Sequence, residues 1–303
     1  MKLAFLAPEF YNTWGGVGIY SVELIKSLSK YKNLDIHVIT PNINNQERKN
    51  LIDNIFKDSI SIHTLSTAND TFIYNLKFQI AILREFNKLN DKYRFDLLHS
   101  ANLVHMPDIF LKFKKLNTKS LVTAHTTIKG QVHGFLKSNL NPLNMARSEK
   151  LSLLTYPGIS FLEWYYLKNT FNIISVSNKF KNLLQNDYGF ANNITTIHNS
   201  INIDHYNYNK VKEFDCINKF PILKNLDKPI ILFAGRLITQ KGIEVLIKAI
   251  KLLEENNYHY TYIIAGKGDH NRLKTLIKSH KLESAKIYYI GFVDNINLVY
   301  LYK

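Results

Sequence analysis

A chain of 303 residues with 46% hydrophobic and 13% aromatic side chains is long and apolar enough for two domains with cores of their own, which excludes a disordered protein. Its formal charge of +15 points to an anionic partner, and nucleotide, acidic lipid and nucleic acid all qualify on charge alone. The lysines are spread along the chain and no zinc or RNA-binding spacing occurs, so nucleic acid is set aside; the single Cys216 excludes a disulfide framework and fits a reducing, cytoplasmic setting.

Apolar runs and helical stripes alternate, which predicts parallel sheets flanked by helices. A strand over 3–7 ends at Pro8; Pro8 and Glu9 also interrupt the opening apolar run, which is too short for a signal peptide. A stripe at Val17, Tyr20, Leu24 and Leu28 marks a helix over 16–30. Strands over 35–40 and 61–65 precede an amphipathic helix over 72–89, and strands over 97–99 and 120–124 follow. Lysines at 112–115 form either a solvated helix face or a contact with an acidic membrane leaflet. The tract 126–150, with Gly130, Gly134 and Pro142, breaks the alternation; it reads either as an acceptor-binding loop or as a disordered one. A strand over 172–176, a helix over 179–186 with Ser177 as its cap, and a strand over 194–197 complete a first domain, 1–208. Pro221 and Pro229 punctuate 209–228, read as a linker. Strands over 230–234, 260–265 and 286–290 alternate with helices over 243–254 and 271–279, so 229–303 reads as a second, partial domain. No stretch reaches the ~20 apolar residues of a spanning helix, which leaves peripheral contact with the inner face of a membrane as the only membrane relation expected.

Four sets of residues lie where strands hand over to helices, the ligand-binding edge of an open α/β sheet. In WGGVGIY (14–20), Gly15 and Gly16 permit close backbone approach before a helix N-terminus suited to a phosphate; a tight turn is the plainer reading. Gly16 and Gly18 in GVGIYS make a defective dinucleotide fingerprint, with Ser21 where its third glycine belongs. In IILFAGRLITQKG (230–242), Arg236 and Lys241 suit a diphosphate, against the alternative of two solvated surface cations. His125 ends the strand of LVTAHTT; taken alone it is more often a packed side chain than a catalyst, and His99 and His105 are weaker candidates still. Gly266 and Gly268 in GKGDH suit backbone near a nucleotide or an ordinary turn equally well.

The strings GRLITQKG, EVLIKAI, YIIAGKGDHNRLKTLI and IYYIGFVDN, with LAFLAPEFYNTWGGVGIYSVELIKSL at the start, resemble in order and spacing the family 4 glycosyltransferases of GT-B fold. The resemblance runs from about Lys2 to the last residue. It implies two Rossmann-like parallel-sheet domains: an N-terminal one for the acceptor and a C-terminal one for a nucleotide-diphosphate sugar. It implies retaining transfer to a hydroxyl, on a glycan or lipid-linked saccharide. His125 is then placed beside the transferred sugar; Gly15, Gly16, Arg236 and Lys241 at the donor diphosphate; and Gly266, Gly268, Phe292 and Val293 near the nucleotide. In IHNSINIDHY, Asn199 is retained from the family's N-G-V-D segment, but Ser200 and Asn202 replace its glycine and aspartate, which weakens any donor contact there. No D-x-D triplet and no metal-ligand spacing occur, so neither metal nor cofactor is expected. The family's E-x7-E pair has no counterpart, since no two glutamates lie eight apart. A C-terminally truncated enzyme, half of a split enzyme completed by another chain, a non-catalytic binding chain, and a Rossmann oxidoreductase all stand as alternatives to an active transferase.

Overall fold

The computed structural model describes residues 1–11, 15–67, 73–114, 118–137, 147–189 and 193–303. They form two compact units, Met1–Val132 with Ser152–Ile201, and His133–Leu151 with Asn202–Lys303.

The first unit is built on a seven-stranded sheet, β1 (Lys2–Leu6), β2 (Asp35–Asn42), β3 (Ser61–Thr67), β4 (Leu97–Ser100), β5 (Lys119–Ala124), β6 (Asn172–Ser175) and β7 (Ile194–Thr196), in the order β3-β2-β1-β4-β5-β6-β7. Every pairing is parallel. Alternate residues of β1 serve opposite faces. Leu3 and Phe5 pack with Ile25 of α1 (Gly16–Leu28) and with Ile52 and Phe56 of α2 (Gln46–Phe56); Ala4 and Leu6 pack with Phe78, Ile82 and Phe86 of α3 (Ile73–Tyr93). Both faces of the sheet are thus covered, as parallel strands require. The strand order reverses between β1 and β4, and loops leaving those two strands diverge to opposite sides there.

Helix α2 was not legible as a helical stripe, but Asn45 caps it by accepting from the Arg48 amide. A short α4 (Ile109–Phe113) follows β4. The tract 126–150 corrects the expected loop: α5 (Ile128–Lys137) and the start of α6 (Arg147–Lys168) occupy it, and 138–146 lies outside the described residues. The caps come from tertiary contacts. Glu163, far along α6, accepts from the Ile128 amide at 2.9 Å, and Thr127 Oγ1 accepts from the Gly130 amide. Ser177 caps α7 (Asn178–Tyr188) as expected, and Gly189 ends it in the left-handed region.

In the second unit β8 (Ile230–Ala234), β9 (Thr261–Ala265) and β10 (Lys286–Gly291) pair in parallel in the order β10-β9-β8. Helix α8 (Glu213–Lys219) precedes them, in the tract read as a linker; α9 (Ile243–Glu255) and α10 (His270–Ser279) cross over between strands, and α11 (Asn295–Tyr302) follows β10. Ile243, Ile247 and Ile250 of α9, at helical spacing, meet Tyr262 and Ile264 of β9 and Leu273 and Leu276 of α10. Cys216 of α8 is buried against Val211 and against Val299 of α11. Among the described residues no helix is long and apolar enough to cross a membrane.

Candidate functional site

In the first unit the candidate residues gather where the strand order reverses. The loop after β1 brings Glu9, Gly15 and Gly16; the loop after β4 brings Asn102 and His105; His125 ends β5. Gly15 is the N-cap of α1 and supplies no side-chain bond to it, and the first turn of that helix carries no acidic residue. A Cβ at Gly16 would meet nothing within 4 Å, so no protein contact requires glycine there. A Cβ at Gly15 would lie 3.9 Å from Glu9 Oε2, and Glu9 Oε1 lies 3.6 Å from His105 Nε2. Glu9 therefore stands beside the glycine loop and the β4 loop at once, a position the sequence reading missed.

Thr123 Oγ1 joins His99 Nε2 at 2.9 Å and Tyr20 OH at 2.8 Å, and the Tyr20 ring meets His125 edge-on with centroids 4.5 Å apart. His99, His105 and His125 are held neutral: burial drives them down to about 3, 4 and 4, and His125 depresses the other two further. The backbone of Ala101 hydrogen-bonds the His125 ring and opposes part of that fall. Nε2 of His125 is buried without a hydrogen-bond partner. A neutral imidazole whose other nitrogen is engaged by the backbone offers that Nε2 as an acceptor, which a sugar hydroxyl can satisfy. His99, by contrast, already has its partner in Thr123 and packs edge-on against Phe5, which is a structural role.

Ser21, in the place of the third glycine, is buried and donates to the Val17 carbonyl within α1. Asn199 is exposed beyond β7, the edge strand of the first sheet.

In the second unit the other candidates share the C-terminal edge of the three-stranded sheet. Arg236 and Lys241 are exposed in the loop between β8 and α9, and neither forms an ion pair among the described residues. Lys241 Cβ lies 3.9 Å from where a Cβ on Gly235 would sit, so the loop folds Lys241 back over its own start. Gly242 takes a left-handed φ of 76° and opens α9. The glycines of the β9 loop are required by close approach to this loop. At Gly266, φ is +154° and a Cβ would lie 1.8 Å from the Gly235 carbonyl oxygen; at Gly268 it would lie 2.4 Å from Leu237 Cβ. The amide of Gly266 in turn donates to the Gly291 carbonyl at 2.7 Å, tying in the loop that carries Phe292 and Val293. Phe292 is 60% exposed.

A buried ion pair, also missed from sequence, braces the cation loop. Glu244 in the first turn of α9 pairs with Arg272 of α10, whose guanidinium also donates to Thr239 Oγ1 at 2.9 Å. Asp269 caps α10 through the Asn271 and Arg272 amides and so orients Arg272. Among the described residues no group of three or more His, Cys, Asp or Glu is arranged to hold a metal ion.

Comparison with known proteins agrees with this architecture. Solved structures that cover the whole chain at low identity share its fold. Sucrose-phosphate synthase of Thermosynechococcus elongatus is 16% identical with a TM-score of 0.71, over 100% of this chain and 73% of that one. Anabaena HepE, in complex with UDP and glucose, is 15% identical with a TM-score of 0.64, over 99% of this chain and 71% of that one. An epimerase of Neisseria meningitidis bound to UDP-GlcNAc, 13% identical with a TM-score of 0.57 over 99% of this chain and 74% of that one, has the same fold, so fold alone does not decide the reaction. An uncharacterized glycosyltransferase of Methanocaldococcus jannaschii is 43% identical over 79 residues, a stretch that spans 25% of this chain and 20% of that relative. The family profile Glycosyl transferases group 1 matches residues 216–303, and Glycosyltransferase Family 4 matches residues 14–205. With two parallel sheets of GT-B type and these matches along its length, the chain belongs to Glycosyltransferase Family 4.

Proposed function

We propose that this chain is built to move a sugar from a nucleotide-diphosphate sugar to an acceptor hydroxyl with retention at the anomeric carbon, the acceptor being a glycan or lipid-linked saccharide. The observation that carries the reading is the two exposed cations Arg236 and Lys241, without ion pairs among the described residues and held at a sheet's C-terminal edge by a loop that Gly266, Gly268 and the Glu244–Arg272 pair fix in shape. In the transfer the bond from the sugar's anomeric carbon to the diphosphate oxygen breaks, the acceptor oxygen takes its place, and the acceptor's proton leaves with the nucleoside diphosphate. Negative charge grows on that leaving group, and cations already in place stabilise it most in the transition state. Phe292 and Val293 give the base an apolar surface. Within the first unit, the helix N-terminus behind Gly15 and Gly16 suits a phosphate, and the unpartnered Nε2 of His125 suits a sugar hydroxyl. HepE in complex with UDP and glucose, on the same fold, supports a nucleotide-sugar donor.

The matching structures run longer than this chain, which covers 73% of the synthase and 71% of HepE. Donor binding is the direct test of the cation loop. Calorimetric titration with a panel of sugar nucleotides is expected to show binding that Arg236→Ala with Lys241→Ala weakens by at least ~100-fold, at ~1.5–3 kcal/mol per charge-assisted bond. Unchanged affinity in that double variant would remove the diphosphate site.

A further inference from the structure

Helix α6 turns an apolar stripe outward. Every exposed residue from 152 to 167 is Leu154, Pro157, Gly158, Phe161 or Trp164. Their spacing puts them on one helix face about 15 Å long. Leu154 is 80% and Phe161 62% exposed, and Phe161 stacks with Trp164 at 6.0 Å. An outward face of this kind normally carries charge. Here the one carboxylate between 150 and 168, Glu163, is buried on the opposite side.

Two neighbours extend the patch within the first unit. Exposed Phe113 of α4 stacks on Tyr165 of α6 at 4.6 Å, and exposed Phe171 follows the end of α6. The cations at its rim lie against these rings: Lys168 Nζ is 4.9 Å from the Trp164 centroid and Lys119 Nζ 5.3 Å from that of Phe171. Lys114 is exposed next to Phe113. The lysine cluster expected at 112–115 is not itself the feature, because Lys112 is buried and paired with Asp108 at 3.3 Å.

Aliphatic and aromatic side chains inside a rim of lysines, without exposed carboxylates between 150 and 168, match the water–hydrocarbon boundary of an acidic bilayer in both polarity and charge. A second copy of the same face would set lysine against lysine. We propose that this face seats the protein on an anionic lipid surface. Leu154, Phe161 and Trp164 enter the acyl boundary, while Lys114, Lys119 and Lys168 reach lipid phosphates. The inference does not rest on the transfer reaction, and its failure would leave donor binding untouched.

The test uses the full chain with phosphatidylcholine vesicles, with and without phosphatidylglycerol. Anionic vesicles are expected to pellet the protein, shift its tryptophan emission to the blue and permit quenching by brominated acyl chains; the spectral changes disappear in Trp164→Phe. Leu154→Ser with Phe161→Ser, both at exposed positions, is expected to lower partitioning at least ~10-fold. Each of Lys114→Gln, Lys119→Gln and Lys168→Gln is expected to lower it about 5-fold at low salt. Absence of a Trp164 shift with anionic vesicles overturns the proposal. So does equal binding to neutral vesicles, or a lipid-free dimer that buries Trp164.

Discussion

Replacing Glu163 by glutamine removes a carboxyl that is 1% exposed and sits at the start of α5, three residues after His125. Burial pushes its pKa from an ordinary 4.5 up to about 7, against the pull of hydrogen bonds from Tyr188 and the Ile128 backbone. The folded protein therefore holds this proton more tightly than the unfolded chain. The associated stability is complete below about pH 4.5 and is lost as pH rises through about 7. At ~1.36 kcal/mol per pH unit, the interval corresponds to about 3 kcal/mol. Glutamine still accepts from the Ile128 amide and does not titrate. The stability of Glu163→Gln relative to the parent is expected to rise by about 3 kcal/mol between pH 4.5 and 8, read from urea unfolding followed by Trp164 emission on the same helix. Parallel pH profiles for the two proteins would refute the claim that this buried carboxyl is held protonated.

The histidines act with the opposite sign. Burial lowers His125 from 6.5 to about 4, so stability present above pH 6.5 is lost as pH falls toward 4, and His125→Asn is expected to flatten that acid limb by about 3 kcal/mol in the same unfolding assay. Gly266→Ala meets a carbonyl oxygen 1.8 Å away at a φ of +154°, so thermal unfolding is expected to show a loss of ~2–4 kcal/mol together with weaker nucleotide binding as the Arg236 loop shifts. Gly16→Ala meets no protein atom within 4 Å and should leave unfolding nearly unchanged; a large loss of donor affinity in that variant alone would report a ligand at the helix N-terminus. Arg272→Met strands buried Glu244 and is expected to cost ~3–5 kcal/mol, with much of it recovered when Glu244→Gln is added, as a double-mutant cycle would show.

Much of the fold could be read directly because parallel strands covered on both faces are written as short apolar runs. The strands among the described residues coincide with the expected ones to within a few residues, as with β1 against 3–7 and β9 against 260–265. What resisted reading was structure whose partners are remote. The tract 126–150 is polar and glycine-bearing, yet α5 forms there because Glu163 on another helix caps it. The lysines at 112–115 look alike in the sequence, but Lys112 is taken inside by Asp108, Ser120 and the Asn169 carbonyl.

The candidate site divides along the same line. Local pattern was enough to put Arg236 and Lys241 after one strand, His125 after another and glycines before α1, because strand-to-helix loops announce themselves through glycine, charge and a change of period. Order along the chain does not by itself say where the strand order reverses. The reversal at β1 and β4 that gathers Glu9, His105 and His125, the approach that makes Gly266 and Gly268 obligatory, and the bracing of the cation loop by Arg272 all depend on contacts between segments distant in sequence. Burial, too, exists only in the folded chain, and it sets the protonation of Glu163 and of the three histidines.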